Sequence, residues 1–155
     1  MDTITKVTFS DLLTPDRIFP RLRAENKREV MRVLAVHVSK TTGLEKQAIT
    51  NALLYCADFP AFGPSTGVAV PHAILPGLKK PVAAYARLDP PLDFSASDGT
   101  LTDLVVLLLS PEEDLSAHLR ALACIARRLR NHQVRDHLRV ATCSDSIYAV
   151  LTDGA

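Results

Sequence analysis

From Leu104 to Leu109 the chain runs through six consecutive apolar residues, preceded by Asp103 and followed by Ser110. Side chains alternate between the two faces of a strand, so a strand without polar positions must be covered on both faces, inside a sheet flanked by helices. Six residues fall far short of the roughly 20 a membrane helix needs, so no membrane insertion is expected. The run is the expected central strand. Immediately after it, Ser110 as N-cap, Pro111 at the first helical position and Glu113 in a capping box predict an abrupt helix start. Leu115, Leu119, Leu122, Ala126 and Leu129 then form the stripe expected to face the sheet, with Arg120, Arg127, Arg128 and Arg130 towards solvent. Upstream, Val30, Met31, Leu34 and Val38 repeat at helical spacing and stop at Gly43, and Ala48, Ile49, Ala52, Leu53 and Cys56 continue in a second helix ending before Phe59-Pro60. Shorter helices are predicted over Gln133–Val140 and Ser144–Leu151. The class is α/β of the α+β type, one mixed β-sheet sandwiched by helices.

The 155 residues fit one domain over 1–155, with a core from about 12 to 151. Between Asp58 and Asp103 lie seven of the ten prolines and four of the six glycines, so the centre is rich in loops, with short strands at Val68–Val70 and Pro81–Leu88. Eighteen basic against seventeen acidic side chains leave a formal charge of +1, without the basic excess of a nucleic-acid binder. The N-terminal stretch lacks a basic segment followed by an apolar one, so no secretory signal is expected. Cys56, Cys124 and Cys143 form no C-x-x-C and no even set, which suits a reducing compartment. The expected location is the cytoplasm.

Phosphate-loop, dinucleotide and zinc signatures are missing, so neither a cofactor nor a metal is expected. What stands out is Gly67-Val68-Ala69-Val70-Pro71-His72, where a short strand ends in an X-Pro bond and delivers His72 at its mouth. Gly63, Gly67 and Gly77 nearby would let main-chain amides approach an anion. His118 shares a helical face with Leu122, Ile125 and Leu129 and should point inward, early in the helix after the central strand. If the two rings meet, one can be a nucleophile while the other donates a hydrogen bond to the transferred group, which is phosphohistidine chemistry. The plainer reading makes His72 a turn residue and His118 a hydrogen-bonded core residue. His37, His132 and His137 receive no role; the arginines from Arg120 to Arg139 read as a solvated face, or a docking surface for an acidic partner; Cys56 and Cys124 read as core. A His72/His118 metal site would have only two ligands, where zinc takes at least three from protein.

Taken in order, LLTPDRI, GVAVPHAILPGLKKPV, LDPPLDFSASDGTLTDLVVLLLSPEED, AHLRALACIARRL and LRVATCSDSIYAVL resemble the IIA domain of the fructose/mannitol type (EIIA type 2) of the bacterial phosphoenolpyruvate-dependent phosphotransferase system, over about Leu12 to Leu151. Within that family the nitrogen-regulatory branch, IIA-Ntr, is the most similar. The resemblance implies a histidine in the V-P-H motif, here His72, phosphorylated on Nε2 by a phosphorylated HPr-like (NPr) protein, with His118 as supporting donor. It implies a phosphocarrier rather than a small-molecule enzyme. With no IIB or IIC portion following, the expected output is phosphorylation-dependent binding to regulatory targets such as transporters or sensor kinases. One stretch departs from the family pattern L-x-R-E-x-x-G-S-T-G: from Leu54 to Gly63 the chain reads LYCADFPAFG, placing Cys56 at the arginine and Ala61 and Phe62 at the Ser-Thr pair. Losing a charge-assisted bond of that kind weakens phosphoryl stabilisation by about 1.5–3 kcal/mol, or about ten- to a hundredfold. The alternative is therefore a non-phosphorylated interaction module, a divergent paralogue that binds partners without carrying phosphate.

Overall fold

The computed structural model describes residues 7–55, 66–95 and 98–153. Two short elements open the chain, α1 (Phe9–Leu12) and a 3-10 turn (Pro15–Arg17), followed by β1 (Ile18–Leu22) and the paired helices α2 (Lys27–Thr42) and α3 (Lys46–Tyr55). The sheet is completed by β2 (Val68–Ala69), β3 (His72–Leu75), β4 (Val82–Leu92) and β5 (Thr102–Pro111). Helices α4 (Leu115–Leu129), α5 (His132–Val140) and α6 (Ser144–Thr152) close it.

Strand β5 is the hub, as its apolar run requires. It pairs antiparallel with β4, from Val82 opposite Leu109 to Arg87 opposite Leu104. Its other edge is shared end to end by β2 and β3, both parallel to it, while β1 runs parallel to β4 on the far side. Val105, Leu107 and Leu109 pack with Val30, Leu34, Ile49 and Leu53 from α2 and α3. Leu104, Val106 and Leu108 pack on the opposite layer with Ile125, Leu129, Leu138 and Ile147. All six run residues are fully buried, each stabilising the fold by about 1.5–3 kcal/mol.

Local chemistry sets the ends of the helices. The Asn26 side chain accepts from Glu29 N to start α2, and Gly43, at φ 79°, stops it by donating to the Ser39 carbonyl. Asn131 caps α5 in the same way. Arg17 is a buried pin: Nε donates to the Ala83 carbonyl at 2.9 Å and an Nη to the Leu12 carbonyl at 3.1 Å, joining α1 to β4. Burial lowers its pKa, against the opposing pull of Asp16.

Several expectations are corrected. Ser110 does not cap a helix: β5 continues through Pro111, and Asp114 caps α4 by accepting from Ala117 N. The face of α4 on the sheet is Ala117, His118, Ala121, Cys124, Ile125 and Leu129, whereas Leu115 and Leu119 point to solvent. The chain does not leave the sheet at His72, because strand pairing resumes there as β3. Elements α1 and β1 carry no clear sequence signal, and the Pro20 in β1 is tolerated because that strand lies at the sheet edge.

Candidate functional site

Pro71 has no N–H to give the ladder, and it separates β2 from β3 along the edge of β5. Its carbonyl still accepts from Leu108 N at 3.0 Å, so the strand pair re-forms at once with His72 beside Leu108 and Ile74 beside Ser110. Paired residues share a face, and Leu108 belongs to the α4 layer. His72 is therefore aimed at α4. There it meets His118: the ring centroids are 5.4 Å apart and the planes are inclined by 47°.

The hydrogen bonds on these rings settle much of their chemistry. His72 Nδ1 lies 2.8 Å from the Val70 carbonyl. A carbonyl only accepts, so Nδ1 carries the hydrogen and the lone pair of the neutral ring sits on Nε2. His118 Nδ1 lies 2.6 Å from Ser110 Oγ, and both residues are buried, His118 at 5% exposure. Burial, and then the nearby His72, hold the His118 pKa below its ordinary value of 6.5. The site thus presents a half-buried ring whose neutral form carries its lone pair on Nε2, beside a buried ring whose neutral form is favoured by burial. On the same elements as these rings, Ile74 of β3 is 42% exposed, and Leu115 and Leu119 of α4, one helical turn apart, are 59% and 58% exposed.

The segment entering this site is latched from behind. Arg139 of α5 forms a two-pronged pair with Asp103, Nε to Oδ2 at 2.7 Å and Nη2 to Oδ1 at 2.8 Å, and Nη2 also donates to the Thr66 carbonyl. Gly67 follows at φ 72°, and a Cβ there would stand 2.8 Å from both Arg139 Nη2 and Asp103 Oδ1. The Gly67 carbonyl accepts from both Asp103 N and Leu104 N at 3.0 Å. The missing side chain of Gly67 therefore makes room for an ion pair, where the sequence pointed to an anion. Gly77 packs on Leu44 in the turn after β3. Gly63, Cys56, Ala61 and Phe62 lie outside the described residues.

The other basic side chains have surroundings of their own. Lys79 and Lys80 line a cavity with Asp11, Asp114, Ala117 and Arg120, on the flank of α4 away from Leu115 and Leu119. Arg87 donates to the Pro20 carbonyl. His37 packs edge-on against Phe19, His132 is 3.9 Å from Asp136, and His137 borders a groove with Arg128 and Val150. The arginine run is no simple solvated face: Arg128 donates to the Val150 carbonyl, Arg135 to those of Leu129 and Arg130, and Arg139 forms the latch. Among the described residues no cluster of three or more His, Cys, Asp or Glu could hold a metal ion. Sequence reasoning missed Ser110 as a site residue and Arg139–Asp103 as its latch. The available signal for Ser110 was its register, since it continues the alternation of Leu104, Val106 and Leu108 towards α4.

The two imidazoles thus meet between one edge of a mixed sheet and the helix packed on it. The family model "Phosphoenolpyruvate-dependent sugar phosphotransferase system, EIIA 2" matches residues 11–154, and the chain belongs to that family. It is 39% identical to the nitrogen regulatory protein of Bradyrhizobium diazoefficiens over 142 residues, covering 92% of this chain and 93% of the relative. Among solved structures, the nitrogen regulatory protein IIA-Ntr of Neisseria meningitidis superposes with a TM-score of 0.85 at 24% identity, covering 93% of this chain and 99% of that one. Enzyme IIA mannitol of Escherichia coli, solved in complex with phosphorylated enzyme IIB mannitol, has the same fold with a TM-score of 0.72 at 17% identity over 90% of this chain and 98% of that one. Among the described residues no helix is long and apolar enough to cross a membrane.

Proposed function

We propose that this chain is a cytoplasmic phosphocarrier whose His72 accepts a phosphoryl group from a phosphorylated HPr-like protein, and whose phosphorylation alters its binding to regulatory target proteins. The observation that carries the reading is the 5.4 Å approach of His118 to a His72 ring held by the Val70 carbonyl. In the transfer step the Nε2 lone pair of His72 forms the new N–P bond while the donor's N–P bond breaks, its electron pair staying on the donor imidazole. The His72 ring becomes cationic, and its Nδ1–H, already bonded to the Val70 carbonyl, remains in place through the step. His118 donates to a phosphoryl oxygen, which is charge stabilisation by a preorganised donor. Ile74, Leu115 and Leu119 offer the donor protein an apolar landing surface around the ring. Once transferred, the phosphoryl group carries about −1.5 to −2 on a ring that has become cationic, so the site turns net negative, which changes which partners that surface accepts. The nitrogen-regulatory name of the Bradyrhizobium relative supports regulation as the output.

Mixing with labelled phosphorylated carrier tests the assignment: the native protein takes up label, His72→Ala takes up none, and His118→Ala takes it up more slowly. Equal labelling of the native and His72→Ala proteins overturns it. A second reading rests on Cys56, Ala61 and Phe62 standing where the family pattern carries arginine and a Ser-Thr pair. On that reading the chain is an interaction module that carries no phosphate, and mass spectrometry after exposure to the donor separates the two.

A further inference from the structure

We infer that Ser110 is a positioning residue that fixes the tautomer of His118, donating its hydroxyl hydrogen to Nδ1 so that Nε2–H faces the phosphoryl group on His72. The use of that hydrogen rests on the carrier reading, whereas the tautomer itself does not. Ser110 is fully buried, and its Oγ is 2.6 Å from His118 Nδ1. Two arrangements are possible at that distance. In the first, Oγ–H donates to Nδ1, the serine hydrogen is used, and the neutral ring carries its hydrogen on Nε2. In the second, Nδ1–H donates to Oγ, and the serine hydrogen must find another acceptor. Among the described residues His118 Nδ1 is the one hydrogen-bond partner of Ser110 Oγ. A buried donor left unused is among the costliest defects in a protein interior, so the first arrangement prevails.

The consequence is a complementary pair of tautomers. Val70 places the hydrogen of His72 on Nδ1 and leaves Nε2 basic, while Ser110 accomplishes the reverse on His118 and leaves Nε2 a donor. Two rings of identical chemistry thereby take opposite roles through one backbone carbonyl and one hydroxyl. Protonating His118 would force Nδ1 to donate and turn the serine hydrogen away, so the same contact also favours the neutral ring.

Long-range 1H–15N correlation spectra of the histidine rings, recorded at a pH where both are neutral, test this on the native protein and on Ser110→Ala and Ser110→Thr. The expected result is an Nε2–H pattern for native His118, a mixed pattern in Ser110→Ala, and restoration in Ser110→Thr. Labelling of His72 by the phosphorylated donor should slow by about two- to tenfold in Ser110→Ala and recover in Ser110→Thr. A native spectrum with hydrogen on His118 Nδ1, or an unchanged pattern in Ser110→Ala, overturns the inference even where His72 is labelled normally. If no variant is labelled but the tautomers behave as stated, the carrier reading fails and the assignment of Ser110 stands.

Discussion

Replacing Gly67 with alanine should destabilise the protein through two separable effects. The residue sits at φ 72°, where an L side chain costs about 1–2 kcal/mol. The new Cβ would also stand 2.8 Å from Arg139 Nη2 and 2.8 Å from Asp103 Oδ1. Both atoms are side-chain tips and can move aside, but only by opening the ion pair that also holds the Thr66 carbonyl. With the side chains 31% and 20% exposed, solvent screening reduces that loss to about 1–2 kcal/mol. The sum is about 2–4 kcal/mol, or a fall in Tm of about 5–15 °C at about 2–4 °C per kcal/mol. Gly43→Ala is the internal control, because Gly43 has φ 79° with nothing within 4 Å of its Cβ position. It should show the backbone part alone, about 1–2 kcal/mol. Urea unfolding of both variants, with m unchanged, measures the difference, and in an Arg139→Ala background the cost of Gly67→Ala should shrink towards that of Gly43→Ala. Equal losses at the two glycines would refute the latch, because only Gly67 confronts the ion pair.

Three further outcomes are expected. Because the His118 pKa lies below 6.5 in the folded protein, the unfolded chain takes up the proton first as the pH falls. Its contribution to stability is therefore full above about pH 6.5 and is lost progressively down to the folded pKa, then levels off. Urea midpoints from pH 8 to 5 should show this slope in the native protein and a shallower one in His118→Gln, and parallel curves would contradict it. Arg17→Met leaves the Ala83 and Leu12 carbonyls without their donor and should cost about 2–4 kcal/mol in denaturant unfolding; a loss under about 0.5 kcal/mol would mean that the pin is replaceable. Leu115→Ser with Leu119→Ser should leave the melting temperature within a few degrees, since both side chains are exposed. It should raise the donor concentration needed for half-maximal labelling of His72 at least tenfold, and unchanged labelling would remove these leucines from the docking surface.

How far the sequence carried the fold depends on how redundantly each element is specified. An apolar run buried on both faces leaves few alternatives, so β5 and its central place were legible, as were α2 with its Gly43 stop and the two C-terminal helices. The boundary after β5 was not legible, because Ser110-Pro111 followed by Glu113 satisfies the pattern of a helix start. The structure uses Asp114 instead, whose carboxylate accepts from Ala117 N at 3.0 Å and from the Ser116 hydroxyl at 2.9 Å. These bonds, led by the Ala117 backbone bond, also pull the Asp114 pKa down. Two caps were available four residues apart, and pairing with β3 decided between them: Glu112 N donates to the Leu75 carbonyl, keeping the chain in the sheet beyond Ser110.

Helix α4 has two apolar stripes, one through Leu115, Leu119 and Leu122 and one through Ala117, Ala121, Cys124 and Ile125, and periodicity alone does not rank them. Choosing the leucines follows from side-chain size, yet the sheet is covered by the smaller residues because they let the helix lie close enough for His118 to reach Ser110 and His72. Once His118 is drawn in by those contacts, the rotation of the helix is fixed, and Leu115 and Leu119 face outward. A fully buried leucine contributes about 1.5–3 kcal/mol, and at 59% and 58% exposure Leu115 and Leu119 leave most of that unused. The reading was thus wrong where folding and the proposed transfer step demand different things of one helix. The stripe that hydrophobic burial would have claimed is left exposed at Leu115 and Leu119, which on the proposed carrier reading is where the donor protein lands.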